Sequence, residues 1–174
     1  MRANLNFIAI MLLTACYSNC LQAQDVTAFK EQANKYVKYV DSINELDHQN
    51  KDFTTSIADG VIKIDDNIVG GFGIYTLANA KYDTAFRIEY SGGIDITVKK
   101  TYYYKYNKLI FARLMLKDTR EIIYQREEVF NNDIILCTST KKDKKANRYI
   151  SETNISLFDD GLHFLEDFKK ESNR

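Results

Sequence analysis

The segment FRIEYSGGIDITV, residues 86–98, decides the fold because it holds two alternating runs around one turn. Phe86, Ile88 and Tyr90 alternate with charged residues, and apolar residues return at every second position from Ile94. Between the two runs, Ser91-Gly92-Gly93 has the composition of a turn. Successive side chains of a β-strand point to opposite faces, so the pattern predicts an antiparallel hairpin with one apolar face.

The alternation continues on both sides of this hairpin. Its parity runs on through Tyr102, Tyr104 and Tyr106, which predicts one long strand whose even-numbered residues face the core. Asn107-Lys108 is then predicted to reverse the chain. Further strands are predicted over residues 61–64, 68–77, 109–117, 121–130 and 134–140. Connections this short join antiparallel neighbours and leave no room for crossover helices.

Two segments have helical periodicity. From Asp25 to about Asp47 the apolar residues recur every three or four positions, and the same holds from about Ser156 to Lys170. Ser156 followed by Asp159 is a variant of the capping box. The predicted fold class is α+β: an N-terminal helix, an antiparallel β-meander sheet of five to seven strands, and a C-terminal helix packed on the sheet. Both helices are expected on the same face.

The first residues read as an export signal. Arg2 is followed by an uncharged apolar run from Phe7 to Leu13 and then by small and polar residues, the layout of a signal peptide. Two cleavage sites compete. Leu13-Thr14-Ala15-Cys16 fits a lipobox, which would remove residues 1–15 and lipidate Cys16; Leu21-Gln22-Ala23 would remove residues 1–23 and leave Gln24 first. Residues 24–174 then form one domain.

Composition limits the partners and the redox chemistry. The formal net charge is +0, so no basic face is expected and nucleic acid is not an expected partner. Among three cysteines, Cys137 lies in a predicted strand, where a buried thiol is expected unless it pairs with Cys20. Contact with a membrane is expected only through a lipid anchor at Cys16.

No catalytic, cofactor or metal-binding residue is predicted. The two histidines, His48 and His163, are expected at the surface, and zinc would need three or four ligands. Asp65-Asp66-Asn67 fails the calcium-loop pattern, because position twelve is Thr76. Gly70-Gly71-Phe72-Gly73 is followed by strand-like residues, which favours a bulge or bend over a phosphate loop.

Tyr102-Tyr103-Tyr104-Lys105-Tyr106 is the most unusual stretch. By parity, Tyr103 and Lys105 share one face, and an exposed Tyr/Lys face is a candidate surface for a protein or a glycan. The alternative is that the even-numbered tyrosines cap the core. The sequence leaves both open.

A repeated pattern carries one loose resemblance. Residues 106–110 and 130–135 both read as an aromatic residue, an Asn-containing turn and two aliphatic residues. With the N-terminal signal, the region from about Ile94 to Thr140 resembles small uncharacterised exported proteins and lipoproteins of Gram-negative bacteria that have Tyr/Asn-rich β-meanders. The resemblance implies a shared fold and transfers no functional residue.

Three functions are compatible with these features. The first is a non-enzymatic exported envelope protein, periplasmic, anchored to the outer membrane or secreted, that binds an unknown protein and exposes an apolar patch. The second binds a small apolar ligand between sheet and helices, in a cavity lined by residues such as Phe111, Leu114 and Phe158. The third is a hydrolase, which would need two close carboxylates in a cleft.

Overall fold

The computed structural model describes residues 26–43 and 52–172. A helix, α1, covers residues 26–43. Seven strands follow in chain order: β1 (Phe53–Ile64), β2 (Asn67–Asn79), β3 (Ala85–Gly93), β4 (Thr97–Lys105), β5 (Lys108–Asp118), β6 (Glu121–Asn131) and β7 (Ile134–Lys142). The chain ends in a 3₁₀ turn (Lys144–Arg148) and two helices, α2 (Ile150–Thr153) and α3 (Leu157–Ser172).

The strands form one antiparallel sheet in the order β1-β2-β3-β4-β5-β6-β7. The predicted α+β class and the antiparallel meander are therefore confirmed, at the upper end of the predicted strand number. Three of the hairpin turns have two central residues with positive φ: Asp65-Asp66, Tyr106-Asn107 and Asn132-Asp133. Such turns match the twist of the flanking strands, and Asn and Asp tolerate this conformation best.

The predicted long strand was wrong at both ends. β4 covers only Thr97–Lys105, and the chain turns at Tyr106-Asn107, one residue earlier than predicted. Tyr106 is 83% exposed and does not face the core. A positive φ at Tyr106 takes this residue out of the alternation, which is why parity failed there.

Two buried apolar clusters lie on opposite faces of the sheet. One contains Tyr102, Tyr104 and Leu114 together with Leu165 and Phe168 of α3. The other contains Tyr103, Phe111 and Val129 together with four residues of α1: Ala33, Val37, Val40 and Ile43. The expectation that both helices share one face was wrong. Neighbouring strand residues point to opposite sides, and Tyr102, Tyr103 and Tyr104 are all buried, so both faces of β4 are covered.

Polar contacts join α3 to β4. The hydroxyl of Tyr104 donates to the carbonyl of Gly161 at 2.7 Å, and Tyr102 donates to the carboxylate of Asp160. The amine of Lys100 lies 3.0 Å from the same carboxylate. At the start of the helix, Ser156 Oγ accepts the backbone N–H of Asp159 at 3.2 Å, which confirms the cap predicted from the sequence.

Polar contacts on the other face hold α1. The hydroxyl of Tyr36 donates to the backbone carbonyl of Tyr104 at 2.6 Å. Near the end of the described helix, Asp41 accepts from Arg87 at 2.7 Å and from the hydroxyl of Tyr103 at 2.9 Å. α1 is therefore tied to β4 through Tyr36, and to both β3 and β4 through Asp41.

The segment between β7 and α3 is more ordered than the charged loop predicted there. Lys141 and Lys142 belong to β7, and the chain continues through the 3₁₀ turn into α2. Arg126 of β6 donates from its guanidinium to the carbonyl of Thr153 at 2.9 Å and to that of Ile155. Within residues 26–43 and 52–172, no helix combines the length and the hydropathy needed to cross a bilayer.

Candidate functional site

The β1–β2 hairpin exposes a group of large apolar side chains. Val61 and Ile64 of β1 are each about half exposed, at 50% and 53%, and Ile68 of β2 is 66% exposed. Ile57 of β1 and Tyr75 of β2 are also exposed, and they lie directly opposite each other in the register. We name Ile57, Val61, Ile64, Ile68 and Tyr75 the hairpin patch; Ile64 points to the face of α3 and the other four point to the face of α1. Clustered exposed apolar side chains mark interaction sites, whereas scattered single ones do not.

The position of the hairpin explains this exposure. β3 pairs with β2 only over Gly71–Ala78, so the part of the hairpin from Ile62 to Gly70 continues as two strands alone. On one face, α1 packs against Leu77 of β2, at the far end from the hairpin tip. On the other face, Phe164 and Phe168 of α3 lie beside Ser56 and Ala58. Among the described contacts, neither α1 nor α3 touches the residues at the tip of the hairpin.

β1 is an edge strand, and it has few of the features that prevent a strand of another chain from pairing with an edge. It is 12 residues long, and Asp59 and Lys63 are its only charged residues. The chain has no proline at all. The opposite edge, β7, is mostly polar after Cys137 and ends in Lys141 and Lys142. Proteins usually protect edges by shortness, charge or proline, and β1 has the least of this protection.

A glycine keeps one face of the hairpin flat. Gly60 lies opposite Phe72, and a Cβ at Gly60 would come within 2.6 Å of the ring atom Cζ of Phe72. The ring of Phe72 therefore lies across β1 and stacks on Tyr90 of β3, with 6.0 Å between the ring centroids. This aromatic contact couples the edge hairpin to the centre of the sheet. A bulge or bend was predicted in the run Gly70-Gly71-Phe72-Gly73, and the register shift opposite Ile62/Lys63 places the extra residue at Val69, next to that run.

A groove borders the hairpin on the face of α3. A pocket of about 410 Å³ is lined by Ile62, Ile94 and Ile96 on the sheet side and by Arg148, Ser151 and Glu152 on the other. A second pocket of about 280 Å³ adjoins it and shares Val98, Ser151 and Glu152. The groove thus has an apolar floor and a rim with charges of both signs.

The binding surface predicted at Tyr103 and Lys105 is corrected by the structure. Tyr103 is only 2% exposed, because α1 covers that face of β4. Lys105 is exposed, and its amine lies 5.8 Å from the ring centroid of Tyr36 and 5.6 Å from that of Tyr106. Burial, followed by the nearby Tyr39 and Tyr106, raises the pKa of Tyr36 to about 12. The adjoining pocket of about 80 Å³ is too small for a drug-sized ligand.

The residues predicted to line a ligand cavity do not share one. Phe111 belongs to the cluster beneath α1, and Leu114 belongs to the cluster beneath α3. Phe158 packs its ring against Phe130 at a centroid distance of 5.6 Å. Phe111 and Leu114 differ in parity on β5, so they point to opposite faces.

The hydrolase hypothesis needs a carboxyl group with a raised pKa, and among the described acids that group is Glu128. Burial raises the pKa of Glu128, although the nearby Arg126 opposes the shift. The guanidinium of Arg126, rather than a second acid, lies 3.1 Å from the carboxylate of Glu128. Within residues 26–43 and 52–172, no group of three or more His, Cys, Asp or Glu residues is placed to hold a metal ion.

The remaining predicted residues divide into two sets. His163 is exposed as expected and lies 3.4 Å from Asp167, and Cys137 is a half-buried free thiol next to the cluster beneath α1. Cys16, Cys20, Gln24 and His48 lie outside the described residues. The hairpin patch was not predicted from the sequence, because only the strand order reveals that β1 is an edge.

Comparison with known proteins gives no relative from which a function could be carried over. No protein-family model matches the chain, and no curated protein or solved structure is significantly similar to it.

Proposed function

We propose that this chain is a non-enzymatic exported protein of the Gram-negative envelope that binds another protein through the hairpin patch. The observation that carries the proposal is a long edge strand with exposed aliphatic side chains and only two charges. An extended segment added to such an edge gains main-chain hydrogen bonds, and alternate side chains supply specificity. The patch offers both features.

In this proposal, the N-terminal signal determines the compartment in which the protein acts. Residues 1–23, or 1–15 in a lipoprotein, carry the signal, and the domain acts in the periplasm, on the outer membrane or outside the cell. A lipid chain on Cys16 is the proposed membrane contact. The even charge balance supports a protein partner and gives no support for nucleic acid.

The rest of the fold serves as a platform for the hairpin. We propose that α3 packs on the sheet and fixes its curvature, supported by the bonds from Tyr102 and Tyr104 to the first turns of α3. The stacking of Phe72 on Tyr90 then holds the hairpin in a fixed orientation relative to the sheet. A preorganised edge loses less conformational entropy on binding than a mobile one.

Photocrosslinking in the native host tests the proposal. A photoreactive amino acid replaces Val61, which is half exposed on β1, and cells are irradiated before the envelope is extracted. We expect a covalent adduct with a single protein, recognised as one band and identified by mass spectrometry. Ile57→Ser and Ile64→Ser in the same chain should each reduce its yield, because they remove apolar contact area.

The matched control places the same photoreactive residue at Ser139, which is exposed on the opposite edge strand β7. Equal adducts from both positions would mean nonspecific contact. The absence of any adduct at position 61 would contradict the proposal.

Binding of a small apolar ligand is a second candidate, favoured by the groove beside the hairpin. Its larger pocket of about 410 Å³ is within the usual size range of ligand sites and has an apolar floor at Ile62, Ile94 and Ile96. Titration with a fluorescent fatty acid tests this candidate. Saturable binding would support this candidate if Ile96→Glu abolished it and Ile134→Glu, at an exposed position of β7, did not.

A further inference from the structure

We propose that β1 pairs antiparallel with β1 of a second copy of this chain, with Val61 on the two-fold axis. The inference rests on the protein-binding function proposed above and names its partner. β1 is regular along its outer edge, because the extra residue at the register shift is Val69 of β2. Among the described strands, only β2 pairs with β1.

The spacing of the two charges selects this register. In an antiparallel pair related by a two-fold axis through Val61, each residue lies opposite its mirror position. Asp59 of one copy then lies opposite Lys63 of the other, and the symmetry makes this contact twice. Both residues are exposed, and no ion pair among the described residues involves either of them. Opposite charges across neighbouring strands stabilise their pairing.

The apolar residues fit the same register. Asp59, Val61 and Lys63 share the face of α1, and the even-numbered residues share the face of α3. On the latter face, Ala58 lies opposite Ile64 of the second copy, and Gly60 lies opposite Ile62. The isoleucines thus lie opposite small residues, and the ring of Phe72 over Gly60 is an apolar surface for Ile62 of the second copy.

Neighbouring registers lack this complementarity. An axis through Asp59 would place two carboxylates opposite each other, and an axis through Gly60 would place Asp59 opposite Val61. The other edge of the sheet offers no attractive charge pair with a second copy of itself, because the charged residues of β7, Lys141 and Lys142, are both basic. Like charges directly opposite each other oppose pairing. β1 is therefore the edge whose charges match a second copy of itself.

Charge reversal in the mature chain tests the pairing by sedimentation equilibrium. The wild-type chain should form a dimer, and Asp59→Lys or Lys63→Asp should each raise the dimer dissociation constant by about tenfold or more, because two attractive pairs become repulsive. An equimolar mixture of the two variants should recover the wild-type affinity, since each variant then supplies the charges that the other needs. The double variant Asp59→Lys, Lys63→Asp should also dimerise.

A cysteine on the axis gives an independent readout. Val61→Cys places two thiols directly opposite each other, and mild oxidation should link the chains into a covalent dimer. Ile57→Cys is the matched control, because its residue also lies exposed on β1 but has no copy of itself opposite. Equal crosslinking at both positions, or variants whose mixture does not regain affinity, would overturn the inference.

The outcomes separate this inference from the function on which it rests. A monomeric wild-type chain whose position 61 still crosslinks to a different protein in cells would refute self-pairing and leave the protein-binding function standing. A monomeric chain with no adduct at position 61 would refute both.

Discussion

Tyr102, Tyr103 and Tyr104 are consecutive in β4, and each is at most 2% exposed. Their hydroxyls nevertheless reach three different acceptors: Asp160, Asp41 and the carbonyl of Gly161. Burial is the main cause that raises the pKa of all three hydroxyls. A buried hydroxyl needs a partner, and these partners come from helices on opposite faces of the sheet. Single residues of β4 therefore link the sheet to both helices.

Gly161 is the residue that lets α3 approach β4. A Cβ at this position would lie 2.8 Å from Cδ1 of Tyr102 and 2.9 Å from Cδ2 of Leu109, both of them buried. We expect Gly161→Ala to lower the free energy of unfolding by roughly 1–3 kcal/mol, since overpacking outweighs the better helix propensity of alanine. Urea unfolding measures the change. Glu166→Ala, at an exposed position of α3, should stay within about 0.5 kcal/mol of wild type.

Glu128 gives the stability a defined dependence on pH. Burial raises its pKa above 4.5, so the folded chain binds this proton more tightly than the unfolded chain. Its contribution to stability is complete below the unfolded pKa and is lost as pH rises through the folded pKa. We therefore expect the free energy of unfolding of Glu128→Gln, relative to wild type, to increase from acidic to neutral pH. Denaturant titrations at a series of pH values measure it.

Asp83→Asn is the matched control, with the opposite sign. Hydrogen bonds, first from Thr84 and then from Asn79, lower the pKa of Asp83, so its contribution is lost as pH falls. Its unfolding free energy relative to wild type should therefore increase towards acidic pH. If the unfolding free energies of the two variants, relative to wild type, changed in the same direction with pH, the raised pKa assigned to Glu128 would be contradicted.

At the scale of elements, the carboxylate of Asp41 attaches α1 to two strands, beside the bond from Tyr36 to β4. Asp41 accepts hydrogen bonds from Arg87 and Tyr103, and its side chain is partly exposed, so screening weakens the charge contribution. Asp41→Ala would leave the buried hydroxyl of Tyr103 without its acceptor, at a cost of roughly 1–3 kcal/mol. We expect faster proteolysis within residues 26–43 as well as lower overall stability.

Two controls separate attachment from helix propensity. Asp41→Asn keeps an acceptor for Tyr103 and should lose less stability than Asp41→Ala. Ser42→Ala changes the neighbouring residue, whose hydroxyl bonds only within the helix to the carbonyl of Tyr39. If Ser42→Ala increased proteolysis as much as Asp41→Ala, the contact of Asp41 with the sheet would not be what holds α1.

The hairpin β1–β2 differs from the central strands β4 and β5 in how much of it is covered. The central strands have buried residues on both faces, whereas β1 has no fully buried residue. Its pairing with β2 is nevertheless long, from Phe53 to Ile64. A stable hairpin with exposed aliphatic side chains is suited to adding a further strand, which is the basis of both proposals above.

At the scale of the whole molecule, the proposed export signal allows two starts of the mature chain, and the two differ in whether a lipid tethers the domain. If the proposed lipobox is used, the intact mass of the protein isolated from cells should correspond to a chain that begins at Cys16 with added acyl groups. Cys16→Ser should then abolish lipidation and release the domain from the membrane fraction. A mass that begins at Gln24 without lipid would instead establish a soluble exported protein, and Cys16→Ser would leave the location unchanged.

The amino-acid sequence by itself determined the features that depend on near neighbours in the chain. Alternation predicted the two strands of the hairpin in residues 86–98, short Asn- and Asp-containing segments predicted turns, and the Ser156 cap predicted where α3 begins. These features were predictable because backbone preference and side-chain period act over only a few residues. The turn predicted at Ser91-Gly92-Gly93 was wrong, because these residues pair within β3 and the chain turns at residues 94–96.

Only the tertiary structure decided the features that depend on residues far apart in the chain. The pairing of all seven strands in sequence order made β1 an edge, and helices on opposite faces buried Tyr103 while Tyr106 stayed exposed. Period alone states that a strand has two faces, but it does not state what covers each of them. The hairpin patch was missed for that reason: whether an isoleucine is core or surface depends on which distant element packs against it.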